Sequence, residues 1–146
     1  MNKYNLYFTS IFLIIVSVTV GQSNSSSEIT PGDNIITEYY NSISKFDFEK
    51  LKGICAKDFQ LVEESGIYSL EDHIGFLRPD SGKIKVEYSI ENILVKKEEM
   101  TGWFVYTKRA KIITENKDII IKSRESAIST YKNGWKIRLI HSTRLK

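Results

Sequence analysis

The spacing of apolar residues changes once along the chain, from a helical period in the first half to a strand period in the second. Ile36, Tyr40 and Ile43 fall on one helical stripe with Tyr39 beside it, which predicts an amphipathic helix running to about Lys45. Its start is expected at Thr30-Pro31-Gly32-Asp33. There a hydroxyl cap, a proline at the first helical position and an acid three residues past the cap answer the free amides of a helix end. Asp47 caps a second helix, in which Phe48, Leu51 and Ile54-Cys55 repeat until Asp58, so that two short helices form a hairpin. Phe59-Gln60-Leu61-Val62 reads as a strand, Ser65-Gly66 as a turn and Ile67-Tyr68 as a short returning strand. Ser69-Leu70-Glu71-Asp72 has a capping-box pattern. Behind it Leu70, Ile74 and Leu77 define a third helix, stopped by Pro79 and the Asp80-Ser81-Gly82 turn.

From Ile84 the period is two. Ile84, Val86, Tyr88 and Ile90 alternate with Lys85, Glu87, Ser89 and Glu91, giving a strand with one buried and one wet face. Ile93, Leu94 and Val95 break that alternation, which predicts a β-bulge near Asn92. Three further strands follow, Trp103 to Ile113, Ile119 to Tyr131 and Trp135 to Thr143, separated by short turn-like stretches of which Asn133-Gly134 is the strongest hairpin signal. Helix, helix, short strand pair, helix and four long strands pack most economically as a curved antiparallel meander wrapped around the helices. The result is an α+β domain whose concave side can enclose a pocket.

The N-terminus has a different character. Met-Asn-Lys is followed by an uncharged, mostly apolar run from Leu6 to Val20, shorter than the roughly 20 apolar residues that cross a bilayer. Residues 1–21 therefore read as a secretory signal, with cleavage expected before Gln22, and the Ser/Asn-rich residues 22–29 as a flexible leader to a domain of residues 30–146. The expected compartment is secreted or periplasmic, with no membrane attachment after cleavage.

Composition narrows the chemistry. With 21 Lys+Arg against 18 Asp+Glu, the net charge of +3 is small and interspersed along the chain, which argues against a nucleic-acid surface. A single cysteine, Cys55, excludes an internal disulfide, and with two histidines it cannot complete a structural zinc set. No phosphate loop, dinucleotide fingerprint, nucleophile elbow or His-Glu-x-x-His pattern occurs, so no cofactor and no metal is expected.

The order of elements over residues 30–146 resembles the nuclear transport factor 2-like superfamily. The motifs that carry the resemblance are Ile36-Thr37-Glu38-Tyr39-Tyr40 followed by Phe46-Asp47-Phe48-Glu49-Lys50-Leu51, then Ala56-Lys57-Asp58-Phe59-Gln60-Leu61-Val62, and Asn133-Gly134-Trp135-Lys136-Ile137 with His141-Ser142-Thr143. The resemblance implies a cystatin-like, cone-shaped antiparallel sheet around three N-terminal helices, similar to SnoaL-like proteins. It implies a scaffold far more than a reaction, because fold does not dictate function. Enzymes of that superfamily place carboxylates, histidines or tyrosines in an apolar cone, where loss of solvent raises a carboxylate pKa.

On that basis Glu63, which follows the first-strand motif, is the nearest counterpart of an isomerase's proton-abstracting carboxylate, although Glu64 follows it directly and two adjacent acids before a turn are ordinarily solvated. His141 keeps strict alternation with Trp135, Ile137, Leu139 and Thr143, which predicts an inward-facing imidazole, either a general base or a core histidine bonded internally. Tyr40, Arg124, Trp135 and His141 are the candidate ligand contacts. Arg124, next to Glu125, either lies on the wet face or grips a ligand carboxylate, and the flanking Ser123 and Ser126 do not separate the two. His73, off the stripe of its helix, reads as exposed and without a role. Phe104, Tyr106 and Ile112 are assigned to the convex face, where pairing of two sheets would make a homodimer. Three functions stay open: an exported module whose cone binds a small apolar ligand or partner segment, a cofactor-free lyase or isomerase using Glu63 or His141 as base, and a structural association domain.

Overall fold

The computed structural model describes residues 34–146; the expected signal 1–21, leader 22–29 and Thr30 helix start lie outside the described residues. Helix α1 (Ile35–Ser44) buries Ile36, Tyr39, Tyr40 and Ile43 on one side, the stripe expected from the spacing. Helix α2 (Phe48–Ile54) is capped by Asp47, whose carboxylate accepts from the Lys50 amide at 3.0 Å. It ends four residues earlier than its pattern suggested. Cys55 already belongs to strand β1 (Cys55–Glu63), where pairing with the last strand overrides helical spacing. Strand β2 (Gly66–Ser69) leads into α3 (Leu70–Leu77), whose start is a full capping box between Ser69 and Asp72. A short 3₁₀ turn, Arg78–Asp80, holds the stopping proline.

Four long strands complete the chain: β3 (Lys85–Glu98), β4 (Thr101–Ile113), β5 (Asp118–Tyr131) and β6 (Trp135–Arg144). Together with β1 and β2 they form one six-stranded sheet in the order β2-β1-β6-β5-β4-β3. The meander is antiparallel as expected, but β1 runs parallel to β6, so the sheet is mixed. The expected bulge is present. Asn92 takes a positive φ of 53°, and the β3–β4 register slips between Glu91 and Leu94. Asn133 and Gly134 both have positive φ in the β5–β6 hairpin, a conformation that Asn-Gly accommodates at little cost.

A second bulge reverses one expectation. Ser129 pairs with Ile137 but Ile128 pairs with Leu139, so Arg138 is an extra residue in β6. Alternation is interrupted there, and Ile137, Ile140 and Ser142 face the core while His141 faces out and is exposed. His141 therefore does not point into the cone. A second correction concerns the sheet faces. Phe104 and Tyr106, fully buried beneath the helices, and Ile112, on the same face of the strand, belong to the concave side. The convex side instead presents Trp103, Ile128 and Leu139 in one cross-strand row, with Leu94 opposite Val105 in the next.

Candidate functional site

The concave face is written in three rows of side chains that the strand register brings side by side. Tyr88, Ala110 and Ile121 form the first, and Ile90, Lys108, Ser123 and Arg144 the second. Tyr106, Glu125 and Ser142 form the third. Period-2 alternation on β5 aims Ser123, Glu125, Ala127 and Ser129 at the helices. Three of these four side chains are small, and the space they leave receives the tyrosines of α1.

Glu125 is the centre of this arrangement, with only 1% of its surface exposed. Its Oε1 accepts from Ser123 Oγ at 2.9 Å and Ser142 Oγ at 2.8 Å, and lies 2.6 Å from Lys108 Nζ. Its Oε2 accepts from the Tyr40 hydroxyl, which also lies 3.5 Å from the Tyr106 hydroxyl. Burial drives the Glu125 pKa upward, yet the Lys108 charge and the hydrogen bonds from Lys108, Tyr40 and Ser142 outweigh it and hold the carboxyl below its usual range. Burial does the opposite to the tyrosines. It raises Tyr39, Tyr40, Tyr88 and Tyr106 above their ordinary values, with Glu125 adding to each, so all four stay protonated; the Tyr39 hydroxyl is buried without a partner among the described residues. Lys108 Nζ also sits 5.4 Å from the Tyr40 ring centroid, a cation–π contact.

Above this floor is a cavity of about 430 Å³ whose lining includes Tyr88, Lys108, Ala110, Ile121, Ser123 and Ser142 from the sheet and His73 from α3. Its size lies within the range of small-molecule sites. His73 stacks on Tyr39, with centroids 6.2 Å apart and rings 8° from parallel. Its Nε2 is buried and has no hydrogen-bond partner among the described residues. Burial and the nearby Lys108 ammonium lower its pKa to about 4, against a weaker opposing pull from Glu125, so the ring is neutral at physiological pH. The site thus holds one internally neutralised ion pair, a set of hydroxyls, the exposed charges of Glu63, Glu64 and Arg144, and the His73 ring beside an apolar strip of Ala110, Ile112 and Ile121. Among the described residues no cluster of three or more His, Cys, Asp and Glu is placed to hold a metal ion.

The residues singled out from sequence divide between this site and other places. Tyr40 is in the floor, and Glu63 lines the cavity as an exposed residue beside Glu64. Arg124 is exposed on the convex side, in register with Thr107 and Thr143. Trp135 packs edge-on against Tyr131 with centroids 5.6 Å apart and does not line the cavity. His141 lies outside, paired with Val62 and Ser126. His73, read as exposed, is instead half-buried against Tyr39, because α3 packs its Ile74 side onto the sheet and carries the neighbouring ring with it. Glu125, Lys108, Tyr88 and His73 were not identified as site residues from the sequence.

No protein-family model matches the sequence, and no curated protein matches it. Solved structures do. An NTF2-like protein from Cytophaga hutchinsonii aligns with a TM-score of 0.67 at 16% identity, covering 77% of this chain and 93% of that one. A nuclear transport factor 2 superfamily protein from Salmonella enterica aligns at 0.68 and 15% identity, covering 77% and 87%. The CamKII hub homology domain of Chlamydamonas reinhardtii aligns at 0.68 and 16% identity, covering 77% and 94%. Three helices held in the concavity of an unclosed, six-stranded mixed sheet make this chain's fold that of the nuclear transport factor 2-like superfamily.

Proposed function

We propose that this chain is a small-molecule binding module, in a protein whose residues 1–21 act as an export signal, and that its ligand has an apolar body and one neutral polar group. The observation that carries the reading is the mixed lining of the 430 Å³ cavity, where the hydroxyl-bearing Ser123 and Ser142 stand beside the apolar Ala110, Ile112 and Ile121. The ion pair of Lys108 with Glu125 is neutral within itself, and among the other charges of the lining Glu63 and Glu64 outnumber Arg144, which favours a hydroxyl or carbonyl over a carboxylate. Ala110, Ile112 and Ile121 supply the apolar wall.

Amide chemical shifts of the ¹⁵N-labelled protein during addition of cyclohexanol, cyclohexanone and cyclohexanecarboxylate test this. The alcohol or the ketone should move His73, Tyr88, Lys108 and Ser123, the carboxylate should not, and Ala110→Phe should abolish the response with the fold intact. Shifts that survive Ala110→Phe, or no shifts at all, would sink the proposal.

A second reading rests on a separate observation. Leu94 is 70% and Val105 41% exposed, directly opposite each other on the convex side and next to the Trp103-Ile128-Leu139 row. A contiguous apolar patch on a sheet face marks an association surface, and hub domains among the structural neighbours are compatible with one. We propose that two copies pair through this face. Light scattering should give a dimer mass at micromolar concentration, and Leu94→Asp with Val105→Lys should give the monomer. A wild-type monomer at that concentration would refute the pairing.

A further inference from the structure

A second cavity, of about 760 Å³ against 430 Å³ for the one in the cone, lies away from the cone and shares no lining residue with it. It opens where β1 and β6 part. Cys55 pairs with Ile137 and Gln60 with Leu139, so four residues of β1 stand opposite the single Arg138. Arg138 is also the extra residue against β5. Two irregularities at one point re-aim a side chain, a use of bulges that recurs beside binding sites. Arg138 and four lysines, Lys52, Lys57, Lys132 and Lys136, line the groove, and its one acid is Asp58.

The charges are scattered in the sequence and gathered by the fold. Arg138 is neutralised by Asp58, and Lys52 lies 3.2 Å from Glu49. Lys136 donates to the Gly53 carbonyl, which leaves its charge uncompensated. Lys57 and Lys132 have no acidic partner among the described residues. Three lysines without an acidic partner therefore line one groove, together with Thr130 and Asn133. Like charges held together repel, and a concave surface concentrates their field on whatever anion enters. Cys55, also in the lining, is held by burial at a thiol pKa of about 12 against the opposing pull of Lys136, so its sulfur stays a protonated thiol.

We propose that this groove binds a compact polyanion, a small molecule bearing two or more phosphate or carboxylate groups. Lysines act as point charges toward phosphate, a forked guanidinium adds directed donors, and the volume matches small-molecule sites rather than a nucleic-acid track. Three uncompensated cations are also too few for a duplex, which needs a longer row of phosphate contacts.

Titration calorimetry of the full chain with inorganic pyrophosphate and with tricarballylate, at low and at physiological salt, tests the assignment. Both probes should bind, more weakly as salt rises, and Lys57→Gln with Lys132→Gln should weaken binding about tenfold or more, equivalent to about 1.4 kcal/mol. Both lysines are exposed, so the pair should leave the far-ultraviolet circular dichroism unchanged. Lys83→Gln with Lys117→Gln, exposed and outside the groove, should leave affinity unchanged. Absence of binding by either probe, or an equal loss in the control pair, would overturn the site. Tighter binding of polyglutamate than of both probes would overturn the compact ligand in favour of an acidic chain.

Discussion

Glu125→Ala should lower the free energy of unfolding by about 3–5 kcal/mol, the largest loss expected from any single change in the cone. The substitution removes the acceptor for four donors at once and leaves the Lys108 ammonium, only 16% exposed, facing the hydroxyls of Ser123, Ser142 and Tyr40 with no counter-charge. A domain of ordinary stability has about 5–15 kcal/mol in total, so the loss should be plain in a urea titration. Glu125→Gln keeps the shape and one acceptor oxygen but not the charge, and should fall between. The double change Lys108→Met with Glu125→Leu removes both ions and should recover much of the loss, since a buried pair is worth little against an apolar replacement while a broken pair is costly. A cost below about 1 kcal/mol for Glu125→Ala would mean that water reaches the pair and that the cone floor is not sealed.

The expected size of that loss comes from contacts that no local pattern displays. Caps and periods are local, and they located α2, α3 and the four meander strands from Asp47, Ser69-Asp72 and the alternation after Ile84. The parity of β5 was not readable, because Ser123 and Ser126 flank Arg124-Glu125 with the same residue type on both faces. That Glu125 is buried rather than wet depends on Lys108 from β4, Tyr40 from α1 and Ser142 from β6 arriving at the same point, and only the tertiary fold states this. His141 failed for a different reason. Strict alternation from Trp135 carries it inward, but Arg138 is inserted and every later side chain changes face. The warning was present in Leu139-Ile140, two adjacent apolar residues that end an alternation just as Ile93-Leu94-Val95 do after Asn92. The same inserted residue that turns His141 away from the cone brings Arg138 to the basic groove, so one irregularity decides the chemistry of two surfaces.

His73 should make the protein less stable as pH falls from about 6.5 toward 4, and His73→Gln should flatten that limb. In the folded chain burial and the Lys108 charge keep the imidazole neutral down to a pKa of about 4, whereas in the unfolded chain it protonates near its ordinary 6.5. Between these values the unfolded state binds a proton that the folded state refuses, so stability is complete above the upper value and lost on acidification. The full separation corresponds to up to about 3 kcal/mol, reduced where solvent reaches the ring. The groups that act on the ring are Lys108, which opposes its charging, and Glu125, which favours it. Glu125 and Asp72 are both held below their ordinary values, Glu125 by Lys108 and its hydrogen bonds against the pull of burial, and Asp72 by its bonds to Ser69. Their own losses therefore begin below about pH 4.5, after most of the His73 limb has been traversed. Urea midpoints of wild type and His73→Gln at steps from pH 7 to 4.5 isolate the difference. Because the chain has only two histidines, the imidazole proton signal of His73 can be assigned and followed by itself. A His73 signal that moves near pH 6.5, or parallel stability curves for the two proteins, would show that the ring is solvated in the folded chain and that α3 does not seal it against Tyr39.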